Sequence, residues 1–201
     1  MPTGTYSFHD PHDGTASGEE HFSCAPGPIG WRYAGTGVDL TLDAQGRALR
    51  LEALAGGWRV RGGACVVDGA PGVTWVRAAA DPGVDAPATE GEARAAGFTG
   101  RSPAYLIATA TRLNLEPGRS ARVRLIALTH PVLAPHTVDR SWTLAAIEHH
   151  DGLAVERYEI DDLATGERAI VHISGDVVLA APGIELEALD TPPNPRITTV
   201  A

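Results

Sequence analysis

The sequence predicts a mainly β protein built of antiparallel meanders in two sheet-rich halves, with one short helix near residues 102–113. Three observations predict it. Apolar and polar residues alternate in short runs along most of the chain, the period-2 pattern of half-buried strands. Gly (23) and Pro (15) exceed their ordinary share and fall between those runs, as closely spaced turns require. A single segment, Ser102–Leu113, abandons period 2 for helical spacing. At 201 residues and 43% hydrophobic content, the chain has enough apolar surface for one sizeable core.

The elements follow in order. Residues 1–18 are polar and lack periodicity, so they are expected to form a flexible N-terminal arm. Strands begin near Glu19. Val38, Leu40 and Leu42 alternate with Asp39, Thr41 and Asp43, and Asp43-Ala44-Gln45-Gly46 offers a hairpin turn whose Gly takes a positive φ. Leu49, Leu51 and Ala53 return, Ala55-Gly56-Gly57 turns again, and Trp58–Arg61, Ala64–Asp68 and Val73–Arg77 complete a first meander. Residues 79–100, rich in Ala, Pro and acidic residues, read as a long loop between the halves.

Ser102 then supplies an N-cap oxygen and Pro103 a first helical residue that has no N–H to satisfy. Leu106, Ala110 and Leu113 form a short apolar stripe, which ends at the turn Glu116-Pro117-Gly118. From there Ala121, Val123, Leu125 and Ala127 mark one strand face, with Arg122 and Arg124 on the other. Strands over Arg140–His149, Leu153–Ile160, Arg168–Ile173, Val177–Ala181 and Ile184–Ala188 form a second meander, with Asp151-Gly152 as one hairpin signal. The expected organisation is an arm over 1–18, one domain over 19–190 with halves at 19–78 and 119–190 joined by 79–118, and a tail over 191–201.

Composition bounds the partners. Net charge is −9, from 25 acidic against 16 basic residues, and every basic residue is Arg. An acidic surface disfavours nucleic acid, whose phosphates need a basic patch. No run approaches the roughly 20 apolar residues of a membrane span. The N-terminus lacks the basic start and apolar run of a signal peptide, which leaves the cytoplasm as the expected location. Cys24 and Cys65 have no metal or redox spacing and read as two small hydrophobes.

The run SPAYLIATATRLNLEPGRSARVRLIALTHPVL resembles a glycolipid-binding family of bacterial proteins. The matching positions are Ser102-Pro103, Arg112-Leu113, Leu115 with Gly118, and Pro131-Val132-Leu133, and the likeness spans roughly residues 18–190. It implies a spiral β-roll, two curved antiparallel sheets enclosing an apolar groove, with a lipid-like ligand. The closing strand departs from the family, reading Val177-Val178-Leu179-Ala180-Ala181-Pro182-Gly183 where relatives carry an acidic-glycine turn and a tyrosine-proline pair.

Candidate ligand-binding residues are the aromatics Trp31, Tyr33, Trp58, Trp75, Tyr105, Trp142 and Tyr158, whose flat faces suit sugar rings and acyl chains, although core filling explains them as well. Arg59, Arg61 and Arg77 are the arginines placed to fork onto a carboxylate or phosphate headgroup, although they also suit a solvated strand face. Trp58 and Val60 share a face opposite Arg59 and Arg61. Glu20 and Glu156 are candidates to face a roll interior. His9-Asp10-Pro11-His12-Asp13 lies in the expected arm, too loose for a metal site, and no H-E-x-x-H, P-loop or G-x-G-x-x-G occurs. The reading is a non-catalytic protein that binds a small amphipathic or lipid-like molecule and needs no cofactor. An enzyme using an acid/base pair in the same groove, or an assembly module, stands beside it.

Overall fold

The computed structural model describes residues 1–27, 30–81, 83–84, 86–150 and 152–195. Its strands are β1 (Thr3–His9), β2 (Ala16–Gly27), β3 (Gly30–Gly35), β4 (Val38–Asp43), β5 (Ala48–Ala55), β6 (Trp58–Val67), β7 (Ala70–Ala79), β8 (Thr89–Ala93) and β9 (Gly97–Thr99). The helix α1 (Pro103–Leu113) follows, and then β10 (Ser120–Thr129), β11 (Ala134–His150), β12 (Leu153–Asp162), β13 (Arg168–Ser174), β14 (Val177–Ala181) and β15 (Ile184–Leu189).

The chain is mainly β with one short helix, as expected, but where the family resemblance implies two sheets the described strands form one of fifteen, ordered β8 back to β1, then β15 back to β9. Each half is an antiparallel meander, and the halves join where the first strand pairs with the last, Gly4 opposite Leu189 and Phe8 opposite Ile184. Among the described residues the one parallel pair, β9 with β10, flanks the helix in a β–α–β crossover.

The free edges of this sheet lie close together. β8 ends at Ala93 and β9 begins at Gly97, four residue steps that span at most about 14 Å. Contacts across the gap agree. Phe98 packs where a Cβ on Gly62 would sit, Pro131 does the same at Gly56, and Arg77 Nε donates to the Val132 carbonyl at 2.7 Å. The sheet therefore curls into a roll whose edges approach each other without pairing.

Inside the roll lies α1, touching β4 of one half and β14 of the other. Ser102 caps it as the sequence predicts, accepting from the Ala104 N–H, and Asn114 closes it in the left-handed region. The stripe Leu106–Ala110–Leu113 is not its principal buried face: Leu106 and Leu113 are half-buried, whereas Ala104, Tyr105, Ile107 and Ala110 are buried. The segment PAYLIATATRL is apolar or small nearly all round, and a helix of that kind is enclosed on every side.

The expected arm over 1–18 is corrected. It supplies β1 and the start of β2, and β1 lies inside the sheet with Tyr6 fully buried. Tyr6 stacks on Phe22 (centroids 4.6 Å apart), and its hydroxyl accepts from the Val178 N–H, tying the N-terminus to β14. The partner of β1 is β15, a pairing across almost the whole chain that no local pattern reveals. The expected loop over 79–100 contains β8 and β9. Of the expected tail, residues 191–195 are described, and Asn194 donates from its backbone and side chain to Asp176, both at 2.8 Å. Residues 196–201 and Asp151 of the expected Asp-Gly turn lie outside the described residues. Elsewhere the predicted hairpins are present, with Gly46 at φ 73° in the β4–β5 turn.

Candidate functional site

The roll places a cavity of about 230 Å³ at the N-terminal end of α1. Its apolar walls come from both halves: Phe8 of β1, Val38 of β4, Ala53 and Leu54 of β5, Leu128 of β10 and Leu133 after it. Its polar lining comprises Glu20, Arg101, Ser102 and His130, together with Ser17, Thr36 and the exposed Glu19.

Glu20 sits in β2, where Glu20, Phe22 and Cys24 alternate inward against Glu19, His21 and Ser23. Only 5% of it is exposed. Its Oε1 accepts from the Tyr33 hydroxyl at 2.5 Å and from Ser102 Oγ at 2.7 Å. Ser102 Oγ in turn accepts from the Ala104 N–H, so one hydroxyl links the start of the helix to the carboxyl. Among the described residues both hydrogen bonds fall on Oε1, so a proton taken up by this carboxyl resides on Oε2. Burial raises the Glu20 pKa above the ordinary glutamate value, and the two hydroxyls and Arg101 only partly offset it.

Arg101 immediately precedes the helix cap. Its guanidinium stacks over the Phe8 ring, 4.3 Å from the centroid, and donates to Ser17 Oγ at 2.6 Å. Among the described residues no carboxylate lies within 4 Å of it, unlike Arg32 on Asp39, Arg124 on Asp139 or Arg168 on Asp161. Its charge nevertheless reaches Glu20. At the rim the partly shielded His130 ring, near Arg101, is held below the ordinary histidine value.

The residues singled out from sequence disperse over the roll. Tyr105 lines the cavity. Trp31 and Tyr33 point inward on β3, Trp31 donating to Asp176 at 3.2 Å and Tyr33 to Glu20, while Arg32 between them faces out to Asp39. Trp142 and Tyr158 pack edge to face in the core of the second half, 5.5 Å apart, and fill it rather than line a groove. Trp58, Trp75 and Arg77 share the inner face of β6 and β7 but sit half-buried near the sheet edge, where Arg77 lies 3.3 Å over the Trp58 ring. Arg59 and Arg61 are on the outer face, both paired with Glu52, away from the cavity. Inward aromatics with arginines outward is thus the arrangement found, and it takes Arg59 and Arg61 out of any interior site.

The residues that do converge were missed, apart from Glu20, which was considered as an interior group. Its signal is the alternation of β2, which puts a carboxylate on the face shared by Phe22 and Cys24. Arg101 and His130 carry no such signal, because each flanks an element rather than lying within its pattern.

Other hollows are less convergent. A cavity of about 180 Å³ lies between Trp31, Ile107 and Thr111, bordered by Asn194 and Pro195. A more open cleft of about 460 Å³ runs past Arg140, Asp162 and Arg168, whose charges are paired. Across the β1–β15 seam, His9 faces the exposed Glu185 and Glu187, held by Ser7 Oγ, which bonds both His9 and Glu187. Cys24 is buried and Cys65 half-exposed, and both are free thiols. Among the described residues no helix is long and apolar enough to cross a membrane.

No family model and no curated protein matches the sequence. Among solved structures, the chain is similar to the crystal structure of a DUF1089-family protein from Pseudomonas aeruginosa, at 16% identity and a TM-score of 0.48, covering 82% of this chain and 83% of that one.

Proposed function

We propose that the chain binds a small amphipathic molecule in the cavity at the start of α1. The observation that supports this reading is the pairing of apolar walls with a few polar groups gathered from separate elements, the usual make-up of a small-molecule site. At about 230 Å³ the cavity is smaller than the ~300–1,000 Å³ of drug-sized sites, so it admits a headgroup or a short molecule rather than a whole lipid. The resemblance read over Ser102–Leu133 implies a lipid-like and so amphipathic ligand, although no family model matches the chain. The test is native mass spectrometry of the purified protein, followed by organic extraction. A bound amphiphile that is lost in Leu133→Arg supports the reading. Bare protein whose melting temperature is unmoved by short-chain acids, amines, amino acids and alkyl glycosides refutes it.

Glu20 favours a second reading, acid–base catalysis in the same cavity. A buried carboxyl that lines a cavity and has a raised pKa is suited to passing a proton. Conversion of the co-purified molecule on incubation, abolished in Glu20→Gln with binding retained, supports catalysis. An unchanged mass supports binding alone.

A further inference from the structure

We propose that the occupant of this cavity is a small zwitterion with an apolar body, its cationic group on Glu20 and its anionic group on Arg101. This rests on the binding reading above and specifies its ligand class.

The cavity lining holds a buried carboxyl, Glu20, and a guanidinium, Arg101, that do not pair, with the exposed Glu19 as a second acid. Ten arginines lie within 4 Å of a carboxylate, among them Arg32 on Asp39 and Arg47 on Asp43, both at 2.6 Å, whereas among the described residues Arg77, Arg112, Arg119 and Arg122 share with Arg101 the lack of one. Glu20 and Arg101 line one cavity and feel each other's field, yet each is held by neutral partners, Tyr33 and Ser102 for the carboxyl and Phe8 and Ser17 for the guanidinium. Those partners fix the two groups in place and keep them apart. The Phe8 face occupies one side of the Arg101 guanidinium, and the Ser17 bond uses a single N–H of Nη2, leaving donors for a carboxylate.

A buried carboxylate held only by hydroxyls is costly, and the raised proton affinity of Glu20 expresses the part of that cost they leave. A ligand ammonium at Oε2 supplies the missing counter-charge. A ligand that is only anionic meets Arg101 but faces Glu20 with like charge, and a ligand that is only cationic has the reverse conflict. A molecule with both charges at one end satisfies both groups, and its apolar body lies against Val38, Ala53, Leu128 and Leu133.

The experiment uses the full chain and calorimetric titration with probes sharing one branched body: leucine, 4-methylpentanoate, 3-methylbutylamine and 4-methylpentanamide, together with a short alkyl glucoside. The expected result is leucine at least tenfold tighter than every other probe. In Glu20→Gln that advantage over 4-methylpentanoate disappears, and in Arg101→Gln the advantage over 3-methylbutylamine disappears. Arg101 is half-buried, so its variant reports even where Glu20→Gln fails to fold. Equal binding of 4-methylpentanoate, the amide or the glucoside by the wild type overturns the zwitterion and leaves amphiphile binding standing. No binding of any probe overturns both.

Discussion

Replacing Tyr105 by Ala tests the central claim about this fold, that the helix fills the roll rather than decorating it. Tyr105 is 3% exposed, lines the 230 Å³ cavity and borders the tightly filled space beside Leu40, Phe98 and Val123. Its ring also covers Gly100, where a Cβ would lie 3.1 Å from Cε2. Truncation removes the partition between two hollows, and a rigid sheet on either side has little freedom to close the gap. Large aromatic-to-alanine changes in such cores cost about 3–5 kcal/mol. For a domain of this size each kcal/mol moves Tm by about 2–4 °C, so a fall of about 6–20 °C is expected. Tyr105→Phe keeps the ring and is expected to cost less than about 1.5 kcal/mol. Urea melts with unchanged m-values, supported by calorimetry, measure both. A loss below about 1 kcal/mol for the alanine variant, or an equal loss for the phenylalanine variant, refutes the packing argument.

Three further predictions probe the seam, a turn and the site. Gly4→Ala drives a methyl into the Ala188 carbonyl at the β1–β15 seam and should cost about 1–3 kcal/mol, read by hydrogen exchange as faster opening of those two strands. Asp43→Ala removes an acceptor of the Gln45 and Arg47 N–H groups and of Arg47 Nε, for a loss of about 2 kcal/mol at pH 7. Burial alone would raise the Asp43 pKa, but those bonds bring it below the ordinary value, so the difference between wild type and variant should shrink as pH falls through and below about 4. Glu20→Gln carries the opposite sign. The folded protein holds the Glu20 proton more tightly than the unfolded chain, so wild-type stability falls relative to the variant as pH rises from about 4.3 toward the raised value. Parallel pH-dependent melts check both signs, and a flat difference for either variant contradicts the corresponding environment.

The sequence carries the local structure of this protein and little of its long-range order. Turns, caps and strand faces depend on residues a few positions apart, so the Ser102 cap, the Asp43–Gly46 turn and the alternation of Val38, Leu40 and Leu42 are all legible. The sheet order depends on pairings whose partners are far apart, and Tyr6 shows the consequence. Within polar neighbours it looks like part of an arm, yet it is fully buried because β15 and Phe22 meet it. The cavity fails to show for the same reason. Phe8, Glu20, Arg101 and His130 come from four separate parts of the chain, and only the alternation of β2 marks any of them in advance.

Why the hollow lies where it does follows from dimensions. A sheet of fifteen strands curled until its edges approach encloses more space than its own inward side chains occupy. One helix lies in that space, but its 11 residues run only about 16 Å. Strands such as β2 and β10, at 12 and 10 residues, extend about 30–40 Å. A helix this short leaves space beside it within the roll. The N-terminal end holds the cavity with Glu20 and Arg101, and the space beside Ile107 and Thr111 is bordered by Asn194 and Pro195. At the second location the buried carboxylate, Asp176, is already occupied by Trp31 and Asn194 of the chain itself. At the first, Glu20 has only hydroxyl partners on one oxygen, and Arg101 has no carboxylate within reach among the described residues. The two spaces share an origin in the fold and differ in whether the chain has satisfied its own buried charge. That difference, rather than volume, is why the proposed ligand is placed at the N-terminal end of the helix.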